Sequence, residues 1–98
     1  MSSSLRWEDM LKFKTTNQFE KDFKVALKRG KNREKIVTVM NKLINKEPLE
    51  IRHKDHNLSG NYVDRRESHI EPDWLLVYKR TYGEIIFERT GSHSDLFG

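Results

Sequence analysis

The sequence predicts a small α+β domain in the order β-α-α-β-β-β, and three observations predict it. Apolar residues recur twice at helical spacing in the first half, at Phe19, Phe23, Ala26 and Leu27 and again at Ile36, Val39, Met40, Leu43 and Ile44. The second half instead carries short apolar runs separated by turn residues. One of these runs, Trp74-Leu75-Leu76-Val77-Tyr78, is apolar at every position, as a strand covered on both faces requires. Helices grouped before strands, without alternation, point to helices gathered on one face of a mainly antiparallel sheet.

The elements follow in order. Residues 1–9 show no periodicity and read as a mobile extension ahead of a domain spanning 10–98. Leu11 and Phe13 alternate with Lys12 and Lys14, the pattern of a short edge strand. Thr15-Thr16-Asn17 offers helix N-caps, and Glu20 stands at capping-box distance from Asn17. Lys28-Arg29-Gly30 ends that helix, with cations at the negative end of its dipole and a glycine stop. A second helix is expected over 33–46, closed by Pro48 and antiparallel to the first. Residues 49–61 read as loop, and strands are expected over 62–70, 74–81 and 84–89. Glu71-Pro72-Asp73 turns the first of these into the second, and Tyr82-Gly83 the second into the third.

Composition narrows the function. The chain has 98 residues, enough for one modest core. It has no cysteine, which removes disulfides, zinc–thiolate sites and thiol nucleophiles. No apolar run approaches the roughly 20 residues of a membrane span, so a cytoplasmic location is expected. Nineteen Lys and Arg against 15 Asp and Glu leave a net charge of +4, which agrees with a polyanionic partner.

The residues suited to chemistry are imidazoles and their neighbours. Four histidines occur, at 53, 56, 69 and 93. Cleavage of RNA through its own 2′-hydroxyl needs a base for that hydroxyl, an acid for the departing oxygen and positive charge for the phosphorane. Two histidines and an arginine suffice, and Arg89 lies four residues before His93. Each also has a plain reading. His53 reads as an uninvolved surface histidine, and His56, taken alone, as a cap for the turn at Gly60. His69 and Asp73 are open to a structural hydrogen bond across the hairpin, and Arg89 to a solvated strand-end charge. Trp74 and Phe87 read as core, and Phe97 either anchors the tail or stacks on a base. No helical His spacing or His-Glu signature supports a metal, so metal-free acid–base work ranks ahead of a metal site, and no cofactor is expected.

Three segments carry a resemblance: Lys54-Asp55-His56-Asn57-Leu58-Ser59-Gly60, His69-Ile70-Glu71-Pro72-Asp73-Trp74-Leu75-Leu76-Val77-Tyr78, and Arg89-Thr90-Gly91-Ser92-His93-Ser94-Asp95-Leu96-Phe97. In this order and spacing they resemble the YafQ branch of the RelE/ParE toxin superfamily, over residues 10–98. The resemblance implies a RelE-like fold and the toxin half of a type II toxin–antitoxin pair. It implies a ribosome-dependent endoribonuclease that cuts messenger RNA in the A site. The expected partners are therefore a cognate antitoxin, the ribosome and mRNA, with a monomer when free and a hetero-oligomer with the antitoxin. It also implies that His56, His69, Asp73 and His93 are active-site residues, that Arg89 contacts phosphate, that Phe97 is the terminal aromatic, and that Glu67 occupies an acidic substrate-side position. His93 is the expected general acid, with Asp73 or His69 as base. The alternatives are a ParE-like non-nuclease acting on a protein target and a toxin-fold DNA-binding co-repressor. The histidine constellation argues against a pure binder, which needs no acid–base pair.

Overall fold

The computed structural model describes residues 11–58 and 64–98. The expected extension over 1–9, the Gly60 turn and the start of the strand expected from 62 lie outside the described residues. The described chain forms β1 (Lys12–Thr15), α1 (Asn17–Lys28), α2 (Arg33–Ile44), a 3-10 turn (Ile51–His53), β2 (His56–Asn57), β3 (Arg66–Glu71), β4 (Trp74–Thr81), β5 (Glu84–Gly91) and α3 (His93–Phe97). Among these residues the five strands form one sheet in the order β1-β5-β4-β3-β2. β1 is the expected edge strand and runs parallel to β5, and the other pairings are antiparallel.

Local signals set the helix ends, with two adjustments. α1 is capped by Thr16, whose side chain accepts the Phe19 N–H at 3.0 Å, so the cap lies one residue before Asn17. Glu20 consequently accepts from the Thr15 hydroxyl at 2.7 Å and does not close a capping box. Gly30, at φ +89, ends the helix in a Schellman turn, its N–H donating to Leu27 and that of Lys31 to Ala26. α2 stops at Ile44, short of the expected 46. Lys46 takes the left-handed position at φ +60, with its N–H on Leu43 and that of Glu47 on Lys42, so the turn is complete before Pro48.

The core divides at β4. Trp74, Leu76 and Tyr78 face the helices and pack with Phe19, Ala26, Ile36, Val39, Leu43, Ile85 and Phe87. Leu75 and Val77 face the other way and are covered by Leu96 of α3 and by Leu58. The fully apolar run therefore has cover on both faces, as its composition requires. On the helix side Trp74 donates from Nε1 to the Thr90 hydroxyl at 3.0 Å, and Thr90 donates to the Leu75 carbonyl at 2.7 Å. Both buried polar side chains are thereby satisfied.

The tail departs most from expectation. β5 continues to Gly91, and the segment after it is a short helix. Ser92 accepts the Asp95 N–H at 3.1 Å while the Asp95 carboxylate accepts the Ser92 N–H at 3.0 Å, a reciprocal capping box. Ser92-His93-Ser94-Asp95 carries that spacing in the sequence, and it was legible there.

Candidate functional site

The site is built on the sheet face turned away from α1 and α2. Register places it: His56 pairs with Glu67, Glu67 with Val77, and Val77 with Arg89, a rung across four strands. The neighbouring rung is His69, Leu75 and Gly91. Residues directly opposite in paired strands share a face, as do positions i and i+2, so His56, Glu67 and His69 emerge together. A bulge at Val77/Tyr78 lets Phe87 stay with Tyr78 in the core while Arg89 aligns with Val77.

Around Glu67 two imidazoles converge. Its side chain is 5% exposed, and the carboxylate lies 3.1 Å from His69 Nε2 and 3.5 Å from His56 Nε2. A buried carboxylate needs donors, and His69 Nε2–H supplies one. His56 Nδ1 sits 2.6 Å from the Lys54 carbonyl. A carbonyl only accepts, so Nδ1 carries the proton and Nε2 is the nitrogen directed toward Glu67. The ring centroids of His56 and His69 are 6.1 Å apart.

His93 enters from the first turn of α3. Its ring lies 5.9 Å from that of His69 and 6.3 Å from that of Phe97, which is 44% exposed. Asp73, at the β3–β4 turn, accepts both the N–H and the Nδ1–H of His93 at 3.0 Å. These two bonds, the backbone one first, hold the Asp73 carboxyl below its ordinary range. The structural His69–Asp73 bond to which the hairpin was open is thus not the one formed: His69 bonds to Glu67 and Asp73 to His93. The hairpin turns Asp73 toward the α3 end, whereas His69 follows the β3 face toward β2.

Two other side chains sit differently from their plain readings. His53 is 6% exposed, and its Nδ1 donates to the carbonyl of His69 at 2.6 Å. It is a buried residue behind β3 and not a surface histidine, because the 3-10 turn folds it inward. Arg89 is no freely solvated strand-end charge either: its Nε donates to Asp22 of α1 at 2.8 Å, and Asp22 also accepts the Thr90 N–H at 3.2 Å. Asp22 had no signal in the sequence, since one acid on a charged helix resembles any other.

Chemically, the face presents three imidazoles, two carboxylates bonded to them and an exposed aromatic. His56, Glu67 and His69 also offer ligand atoms within 4.8 Å of one another, a set able to hold a metal ion.

Comparison with known proteins shows the family. A family model described as "Bacterial toxin of type II toxin-antitoxin system, YafQ" matches residues 11–98. The mRNA interferase toxin YafQ of Escherichia coli (strain K12) is 46% identical over 84 residues, covering 85% of this chain and 91% of that one. The toxin in a crystal structure of the E. coli DinJ–YafQ toxin–antitoxin complex superposes with a TM-score of 0.84 at 43% identity, covering 91% of this chain and 99% of that chain. A metal-bound toxin from Helicobacter pylori superposes at 0.85 with 39% identity, over 90% of this chain and 100% of that chain.

Proposed function

The chain belongs to the YafQ family of type II toxins, and from that premise we propose that it is an endoribonuclease that cuts messenger RNA on the translating ribosome. The observation that carries the mechanism is the facing pair His69 and His93, 5.9 Å apart, each hydrogen-bonded to its own carboxylate. Glu67 holds the Nε2 proton of His69, which leaves Nδ1 as its basic nitrogen. Asp73 holds the Nδ1 proton of His93, which leaves Nε2 as the nitrogen that carries or gives a proton. A carboxylate behind an imidazole fixes its tautomer and supports its charged form, as in hydrolase triads.

His69 then removes the proton of the 2′-hydroxyl, whose oxygen attacks the adjacent phosphorus. His93, as imidazolium, gives its Nε2 proton to the departing 5′-oxygen. The products are a 2′,3′-cyclic phosphate and a free 5′-hydroxyl. Arg89, oriented by Asp22, supplies positive charge toward the phosphorane, and Phe97 offers a ring face to a base. Asp73 is occupied by two bonds from His93, which favours His69 over it as base. His56 completes the site from the β2 side through Glu67.

The partner of such a toxin is a cognate antitoxin, as DinJ is for the E. coli protein. Among the described residues no helix is long and apolar enough to cross a membrane, and a messenger RNA substrate supports action in the cytoplasm. The net +4 charge gives sequence-independent attraction to ribosomal RNA.

The test is to add the purified protein to translating ribosomes and to the same mRNA without ribosomes, then map the ends. Cuts on ribosome-bound message alone, with cyclic or 3′-phosphate termini, are expected. Equal cutting of free RNA would remove the ribosome from the proposal, and no cutting in either case would remove the nuclease.

A further inference from the structure

His56 stands next to a residue whose side chain goes to the opposite side of the sheet. Asp55 turns toward the helix face, where its carboxylate collects three donors. The Ser68 hydroxyl donates to Oδ2 at 2.5 Å, the Tyr78 hydroxyl donates to the same oxygen, and Arg66 Nε donates to Oδ1 at 2.6 Å. Ser68 and Tyr78 are 0% and 2% exposed. Burial, and then the Asp55 carboxylate, push the Tyr78 phenol up to about 12, so it stays a donor at any working pH. Arg66 also donates from Nη1 to Asn57 at 2.7 Å, so it grips the chain on both sides of His56.

We infer that Asp55 is a positioning residue for His56: the network on the helix face holds the strand that presents the imidazole to Glu67 on the other. β2 is only two residues long and has β3 as its strand partner. So short a ladder registers poorly by itself. Lys54 adds to the demand, because it adopts φ +45 without being glycine. The Lys54 carbonyl, one residue before Asp55, is what receives His56 Nδ1–H and sets its tautomer. Charge-assisted bonds from Arg66 and two buried hydroxyls are strong enough to keep that backbone in place. Rows continue through β3: Ser68 lies beside Glu67, and Tyr78 beside Val77, so each anchor on one face adjoins a site residue on the other.

This inference rests on the nuclease reading for its consequence but not for its structural content, and the experiment separates the two. Asp55→Asn conserves shape while replacing an acceptor of three donors with an amide that brings donors of its own. In protein labelled with ¹⁵N at histidine, NMR is expected to show His56 passing from one tautomer to a mixture, with His93 unchanged. On translating ribosomes kcat should fall about 10-fold or more while KM moves little, because orientation is used in the transition state. Asp55→Asn on top of His56→Ala should cost nothing further. Should Asp55→Asn not fold, the double change Ser68→Ala, Tyr78→Phe leaves Asp55 in place with two donors removed, and the same His56 signature is read. An unchanged His56 tautomer in the folded variant, or losses that multiply with His56→Ala, would overturn the inference. If the wild-type protein does not cut RNA, the nuclease reading fails and the NMR comparison still decides the role of Asp55.

Discussion

One carboxylate oxygen of Asp73 receives both the main-chain N–H and the ring Nδ1–H of His93, each at 3.0 Å. Those residues are 20 apart in the chain, and the contact ties the β3–β4 turn to α3. Arg89, four residues before His93, turns its Nε to Asp22, and the His93 ring has its own carboxylate partner.

His93→Gln should therefore separate activity from stability. The His93 side chain is 57% exposed and that of Asp73 is 70% exposed, and exposed pairs contribute little to folding. The backbone N–H bond to Asp73 survives the change. Melting temperature should stay within error or rise slightly, while mRNA cleavage falls on the order of 10²-fold or more. A variant that melts several degrees lower and still cuts at the wild-type rate would make His93 structural.

Gly91→Ala should damage the site from outside it. A methyl there meets Asp95 Cβ at 2.9 Å, and that atom belongs to the capping box which starts α3. The helix must shift, taking His93 and Phe97 with it. Overpacking of this kind costs about 1–3 kcal/mol. Cleavage should fall at least about 10-fold, more than the lost stability accounts for at a temperature where the variant remains folded. Rate measured alongside thermal melting checks this.

Stability should drop on the acid side through Glu71 and Asp95. Lys35 at 2.9 Å and Lys31 at 3.2 Å hold Glu71 below its usual 4.5. The Ser92 N–H, and then Arg29, hold Asp95 below 3.8. Both folded values lie below the unfolded ones, so these groups stabilise the fold fully above the unfolded values, and that stability is lost as pH falls through the folded values. Melting temperature should decline below about pH 4.5. Glu71→Gln should melt lower at neutral pH and show a shallower acid decline. Parallel acid limbs in the two proteins would exclude Glu71 as a contributor.

Zinc should inhibit, not activate. His56, Glu67 and His69 are the groups a divalent ion would take, and an imidazole bound to metal accepts no proton. Toxin stripped with a chelator and desalted should cut at full rate on ribosomes in magnesium buffer, and micromolar zinc should slow it reversibly. A stripped protein that is inactive until zinc is restored would replace acid–base chemistry with metal-assisted hydrolysis.

What the sequence determined by itself was local or carried by motif. The spacing of Phe19, Phe23 and Ala26, the run from Trp74 to Tyr78, and the turns at Gly30 and Gly83 each depend on neighbours within a few residues, and the elements formed where those signals stood. The YafQ family was legible from three motifs in order. Tertiary structure decided which polar groups meet. Glu67 lies between His56 and His69 because β2, β3 and β4 pair in one register, and a shift of one residue would put it among Trp74 and Tyr78. His53 looked superficial because a 3-10 turn leaves no periodic trace, yet that turn buries it behind His69. Asp22 and Asp55 were indistinguishable from other surface acids, since their partners Arg89, Ser68 and Tyr78 are brought to them only when the sheet assembles.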